Sequence, residues 1–261
     1  MPELPEVEKA MRRLRAAVEG KTISSARALH PSLARQLPDS KARLLRKRRI
    51  VRVERRGKHQ LLHLDNGSIL HAHFRMNGDW LLSRTNESPD RFTRVMIDLT
   101  DGTRIELHDP RALSAMSFHA AGEDPLPRLG MEANDAGLDA EYLAKALRTR
   151  RGPIKPALMD QKVIAGLGNI YAAEALWRAK ISPRAQASSV SKSRLSRLVE
   201  TIRDVLSGEN RPPGRYTDKR NRHRFGVYDR EGEECLVCGT TVKRIVQAGR
   251  STYYCPKCQR S

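Results

Sequence analysis

The chain has 261 residues, about two domains at roughly 150 residues each, and carries 49 Lys+Arg against 30 Asp+Glu, a formal net charge of +19. Hydrophobic residues make up 39% of it, with no run near the 18 or so apolar residues of a membrane helix, which excludes a helical integral membrane protein. The opening MPELPEVE is acidic and proline-interrupted, without the apolar core of a secretory signal, so a cytoplasmic protein is expected.

Pro5 suits a first helical position, Val7, Met11, Leu14 and Val18 recur at helical spacing, and Gly20 is the expected stop. The period then changes. Residues 50–55, 58–64, 68–75 and 79–84 read as strands, with a turn at Asp65-Asn66-Gly67, and 94–100 pairs with 103–108 across Asp101-Gly102. A helix followed by an antiparallel sandwich or barrel is therefore expected over residues 1–125. A turn-rich stretch from Gly122 to about Gly137 holds the linker, placed at 126–138. Helical patterns follow at 139–149, 153–161, 169–179 and 191–207, so 139–232 forms a helical domain. Within it, the Pro-, Gly- and Arg-rich segment 208–224 reads as a mobile loop. Residues 233–261 form a small cysteine-bearing module. The fold class is α+β.

The excess of cations points to a polyanionic partner, because Lys and Arg that neutralise phosphates release condensed counterions. Ten Lys/Arg and a single acid, Glu54, occupy Lys41 to Lys58. A second cluster holds Arg211, Arg215, Lys219, Arg220, Arg222 and Arg224.

All four cysteines lie in the last module, as Cys235-x-x-Cys238 and Cys255-x-x-Cys258 separated by sixteen residues. Each pair presents two sulfurs to one ion, and two pairs complete a closed tetrahedron, so one structural zinc ion is expected. Gly239 permits the tight turn, and Val242–Gln247 and Ser251–Tyr254 can pair around Ala248-Gly249-Arg250 as a ribbon.

Removal of Met1 would leave Pro2 as a secondary amine at the start of a helix. An α-amino group has an unperturbed pKa of roughly 8, and a helix N-terminus disfavours its protonation. Such an amine can attack a carbonyl-like carbon and form an iminium ion, with the Glu3 carboxyl as a general acid. Taken alone, these residues equally suit an ordinary helix entry. Likewise, Met76 between two strands suits the core, Lys58 a solvated strand position and Asn169 a helix cap. His71 and His73 alternate on one strand and suit a buried, hydrogen-bonded role better than a metal site.

The segments MPELPEVE, Arg55-Arg56-Gly57-Lys58, His73-Phe74-Arg75-Met76-Asn77-Gly78, Asp109-Pro110-Arg111, Gly166-Leu167-Gly168-Asn169-Ile170-Tyr171 and the cysteine module occur together and in order. This set resembles the formamidopyrimidine-DNA glycosylase and endonuclease VIII family of base-excision repair enzymes, nearer the formamidopyrimidine branch by its ELPE start. The resemblance implies an N-terminal helix with an antiparallel β-sandwich, a helical domain with a helix–two-turns–helix element, and a C-terminal zinc ribbon. It implies that Pro2 attacks C1′ of a damaged nucleotide, that Glu3 is the acid for base loss and ring opening, and that Glu6 supports it. Lys58 would hold the flanking phosphate and help β-elimination, and Arg250 would assist δ-elimination. DNA contacts would come from Lys58, Met76, Arg111, Leu113, Arg151, Asn169 and Arg250, with Met76 filling the space of an extruded base.

The implied activity is that of a bifunctional DNA glycosylase and abasic-site lyase on oxidised bases, 8-oxoguanine and formamidopyrimidines, in duplex DNA. The expected protein is a nucleoid-associated monomer with no obligate protein partner. Three features depart from the family pattern. Ala112 and Leu113 stand where a second Arg and a Phe are usual, Arg75 replaces a Gly beside Met76, and the segment from Pro212 to Arg224 is short. They leave open a preference for oxidised pyrimidines or bare abasic sites. A binder of distorted or branched DNA without catalysis is the rival from another class.

Overall fold

The computed structural model describes residues 2–207 and 225–260. Met1, the segment read as a loop at 208–224 and its arginine cluster lie outside the described residues. The chain divides into two compact units, Met1–Pro127 and Arg128–Ser261. Each has its own architecture.

In the first unit, helix α1 spans Leu4–Val18, with Pro5 in its first turn. Its start is closed by a capping box in which the Glu3 backbone N–H donates to Glu6 Oε2 at 3.1 Å. Val7, Met11, Leu14 and Val18 are buried as their spacing predicts, and Gly20 ends the helix in a left-handed conformation at φ 83°. Two four-stranded antiparallel sheets follow. One has the order β1-β6-β7-β5, formed by Ile23–Ala28, Thr93–Leu99, Thr103–His108 and Asp79–Arg84. The other has the order β2-β3-β4-β8, formed by Ile50–Arg56, His59–Leu64, Ile69–His73 and Ala115–His119. Side chains from both sheets and α1, among them Met11, Leu14, Leu62, Leu70, Trp80 and Ile97, share one core.

Strands β1 and β8 are absent from the sequence expectation, as are the short helices α2 (Pro31–Ala34) and α3 (Asp39–Leu44). The reason is physical. In Ile-Ser-Ser-Ala-Arg-Ala only Ile23 is buried, and the strand is held by its ladder to β6 rather than by an apolar face.

In the second unit, α4 (Ala140–Leu147) is capped by Asp139, whose carboxylate accepts from Tyr142 N at 2.7 Å. Helices α5 (Ile154–Met159), α6 (Asn169–Arg178) and α7 (Lys192–Ser207) complete the helical part. A short parallel pair, β9 (Met131–Glu132) with β10 (Ile164–Ala165), occupies part of the stretch expected to be a plain linker. It forms because Gly130 lets the backbones meet: a Cβ there would stand 2.4 Å from Val163 O.

The last residues make a two-stranded ribbon, β11 (Lys243–Gln247) and β12 (Arg250–Tyr254). Its turn is Ala248-Gly249, both at positive φ, and Arg250 opens β12 opposite Gln247 rather than sitting in the turn. Among the described residues, no helix is long and apolar enough to cross a membrane.

Candidate active site and nucleic-acid interface

The first unit places the sequence-predicted residues Pro2, Glu3 and Glu6 at the entrance to α1. Pro2 is half-buried, and the adjoining Glu3 is 1% exposed at the N-cap position, its backbone fixed by the Glu6 carboxylate. One turn further, Glu8 accepts from Arg55 Nε at 2.7 Å, and the same guanidinium donates to Gly57 O at 2.9 Å. Burial raises the Glu8 pKa, but the Arg55 and Arg12 guanidiniums more than offset it and hold the carboxyl below its ordinary value. This relay ties the turn that carries Lys58 to α1. Lys58 itself is buried, not a solvated strand residue.

Beside Lys58, His59, His71, His73 and His119 line the face of the second sheet opposite its core residues Leu62, Leu70, Ala72 and Met116. His59 Nδ1 and His71 Nε2 lie 2.8 Å apart, and the His59 and His73 rings meet edge-on at 4.8 Å. Burial, and after it the nearby Arg75 charge, lowers His59 to about 4. Burial and the surrounding cationic groups lower His71 to about 4 and His73 to about 3. His59, His71 and His73 are therefore neutral near pH 7 and offer hydrogen-bonding nitrogens rather than charge. His73 Nδ1 accepts from Arg75 N at 3.0 Å, which helps to hold Arg75 left-handed at φ 52°. Next to it, Met76 is 37% exposed in the turn between β4 and β5, so the core position suggested by its neighbours is not what it occupies.

The Asp109–Ser114 loop is organised by one carboxylate. Asp109, fully buried, accepts from Arg111 N (3.0 Å), Leu113 N (2.8 Å), Ser114 N (2.7 Å) and Ser114 Oγ (2.7 Å). Burial raises its pKa, and these four bonds outweigh that and hold it low. Ser114 Oγ also lies 3.3 Å from Phe74 O, coupling this loop to the turn of Met76. Leu113 projects from it, 46% exposed, beside Ala112 at φ 52°.

In the second unit, Asn169 is the first residue of α6, but Gly168 is its cap and the Asn169 side chain does not cap the helix. Instead, its Nδ2 donates to Ser251 O at 3.1 Å and its Oδ1 accepts from Lys155 Nζ. Lys155 is 1% exposed and also donates to Thr252 Oγ1 at 2.8 Å, so α5, the start of α6 and the ribbon meet on one buried ammonium. Arg250 lies next to this junction on an exposed strand end, and Arg151 is exposed just before α5.

The four cysteine sulfurs lie within 4.8 Å of one another, with Cys235 to Cys258 at 3.9 Å and Cys238 to Cys255 at 3.5 Å. A zinc–sulfur bond of about 2.3 Å gives a tetrahedron with edges of about 3.8 Å, so the donor set fits one zinc ion with no open position. Among the described residues no other His, Cys, Asp or Glu group forms such a cluster.

Three family models match in sequence: the formamidopyrimidine-DNA glycosylase N-terminal domain over residues 1–116, its H2TH domain over 129–209, and the zinc finger found in FPG and IleRS over 232–260. The formamidopyrimidine-DNA glycosylase of Cereibacter sphaeroides is 40% identical across the full length of both chains. The chain belongs to the formamidopyrimidine-DNA glycosylase family. The Ruegeria pomeroyi glycosylase is likewise 40% identical over all of both chains. Among solved structures, MutM in complex with DNA containing carbocyclic 8-oxo-G matches with a TM-score of 0.88 at 30% identity. The Lactococcus lactis enzyme bound to abasic-site DNA matches with a TM-score of 0.89 at 27% identity, each covering all of both chains.

Two residues of this glycosylase-family chain escape a reading of the sequence. Asp109 is visible only as part of Asp-Pro-Arg, and Lys155 only as a lysine before a proline. The signal for Lys155 is faint: a helix whose other inward positions are apolar, with a cation placed among them.

Proposed function

We propose that this chain is a bifunctional DNA glycosylase and abasic-site lyase that removes oxidised purines, 8-oxoguanine and formamidopyrimidines, from duplex DNA. The reading rests on the full-length likeness to these glycosylases and on a buried acidic residue, Glu3, next in sequence to Pro2 at a helix entrance. The helix N-terminus disfavours a charged amine at Pro2, leaving its lone pair for attack.

A bond forms from the Pro2 nitrogen to C1′ while the glycosidic bond breaks, and the proton of the Pro2 N–H passes to the departing base. The C1′–O4′ bond then opens, O4′ takes the proton of Glu3, and an iminium links protein and sugar. Loss of a C2′ proton expels the 3′ phosphate, and a second elimination expels the 5′ phosphate. Lys58 serves the flanking phosphate, and Arg250 assists the second elimination. Met76, Arg111 and Leu113 occupy the gap left by the extruded nucleotide, whose unstacking costs a few kcal/mol. Arg151 and Asn169 add phosphate contacts. Zinc on Cys235, Cys238, Cys255 and Cys258 is structural and holds the ribbon that carries Arg250. Such an enzyme works on the nucleoid DNA in the cytoplasm.

Borohydride reduction on a duplex with one abasic site should trap a covalent adduct, and peptide mapping should place the sugar on the Pro2 nitrogen. An adduct mapped to another residue would place the nucleophile elsewhere. A panel of single-lesion duplexes then ranks substrates; faster release of oxidised pyrimidines than of purines would replace the lesion class named here.

A further inference from the structure

The second unit carries a groove that takes no part in the chemistry above. It has a volume of about 460 Å³, in the range of roughly 300–1,000 Å³ typical of ligand pockets, and borders the zinc ligands Cys238 and Cys258, with Lys180, Arg194, Arg197, Val237, Lys257 and Arg260 around them. It lies between the end of α6, the start of α7 and the zinc-binding turns. Asn169 opens α6 and Lys180 follows its end, so the groove is about 15 Å along the helix axis from the Asn169–Lys155–Arg250 junction.

Five cations converge there. Among the described residues, none has a carboxylate within ion-pair distance: Arg194 donates to Arg260 O at 2.6 Å and Arg197 to Ala179 O at 2.9 Å, both backbone carbonyls. Like charges gathered without a counter-charge repel, and an anionic occupant would relieve this. The rim adds an apolar element. Val237 and its neighbour Leu236 are each 65% exposed on the turn between Cys235 and Cys238.

We propose that this groove docks an acidic peptide segment of a partner protein, its carboxylates on the five cations and an apolar side chain against Val237. The apolar rim favours a peptide over a second duplex, since phosphate backbones have nothing to place there. Arg and Lys on the walls supply orientation and on-rate, and the apolar anchor supplies residence.

The test uses the zinc-loaded full chain saturated with an abasic-site duplex, titrated into a fluorescein-labelled peptide Glu-Asp-Asp-Glu-Leu-Leu and followed by anisotropy. Saturable binding is expected, with the same midpoint whether or not the duplex is present. Lys180→Glu with Arg194→Glu should weaken it about tenfold or more, and replacing both leucines of the peptide by serine should also weaken it. Arg194 lies in the first turn of α7, where the helix dipole favours an acidic residue, so the variant keeps its fold. Parental borohydride trapping checks this. Lys180→Gln alone, on an exposed side chain, should cost about threefold. Displacement of the peptide by the duplex, parental affinity in both variants, or binding of a second duplex in place of the peptide would each overturn the proposal.

Discussion

Asp109 offers the sharpest test of how the first unit builds the loops that carry Met76 and Leu113. Asp109→Ala removes the acceptor of four hydrogen bonds at once. The amides of Arg111 and Leu113 belong to exposed residues and can turn to water. Ser114 is 1% exposed, so its N–H cannot, while its O–H still has Phe74 O at 3.3 Å. The orphaned N–H costs about 1–3 kcal/mol, which sets the expected loss at about 2 kcal/mol. Asp109→Asn keeps one carbonyl for Ser114 but sets an NH₂ against the Arg111 N–H, for a loss of about 1–2 kcal/mol. Urea unfolding followed through Trp80, in a Trp177→Phe background, reads both values, and affinity for an abasic-site duplex reads the placement of Met76 and Leu113. The folded Asp109 pKa is depressed, so its contribution is present above the unfolded value of about 3.9 and is lost as pH falls through the lower folded one. A loss below about 0.5 kcal/mol for Asp109→Ala, with unchanged duplex affinity, would refute the reasoning, since one orphaned buried group already exceeds that.

Removing Lys155 should disturb the other unit. Lys155→Met leaves Asn169 Oδ1 and Thr252 Oγ1 without their cation, for about 3 kcal/mol in stability and weaker duplex binding; parental values in both assays would contradict this. A strong chelator, or Cys255→Ser, should unfold the ribbon and lower duplex affinity more than about tenfold, because metal binding and local folding are one event. Intact ribbon amide resonances after chelation would count against it. The histidine row makes stability fall as pH drops from about 6.5 toward about 4, because the unfolded chain takes up protons that His59, His71 and His73 resist. The slope is at most about 1.4 kcal/mol per pH unit for each histidine. His59→Gln with His71→Gln should flatten it, and a parental slope in that variant would assign the effect elsewhere.

The strands from Ile50 to His108 were legible because apolar residues alternate and Asn-Gly and Asp-Gly mark the turns. Helices α1, α4, α5, α6 and α7 were legible from their period and stops. Strand β1 was not, since five of its six residues are polar or small and its pairing partner β6 lies about seventy positions away in the chain. The zinc ligands were legible from spacing alone. Local pattern raised Pro2, Glu3 and Asn169 but suited a helix entry or cap as well, and the resemblance chose between those readings. Lys155 stayed hidden because its meaning depends on Thr252, 97 residues later, and Asp109 because its burial depends on a loop that closes over it.

The ribbon hairpin has a consequence for how this chain can vary over time. Gln247 pairs directly with Arg250 across a two-residue Ala248-Gly249 turn. Side chains alternate between faces along a strand, so one inserted or deleted residue beyond that turn would send the guanidinium to the opposite side. Substitution at the tip is confined to residues that tolerate positive φ, and a change in its length would turn Arg250 away from the Asn169–Lys155 junction.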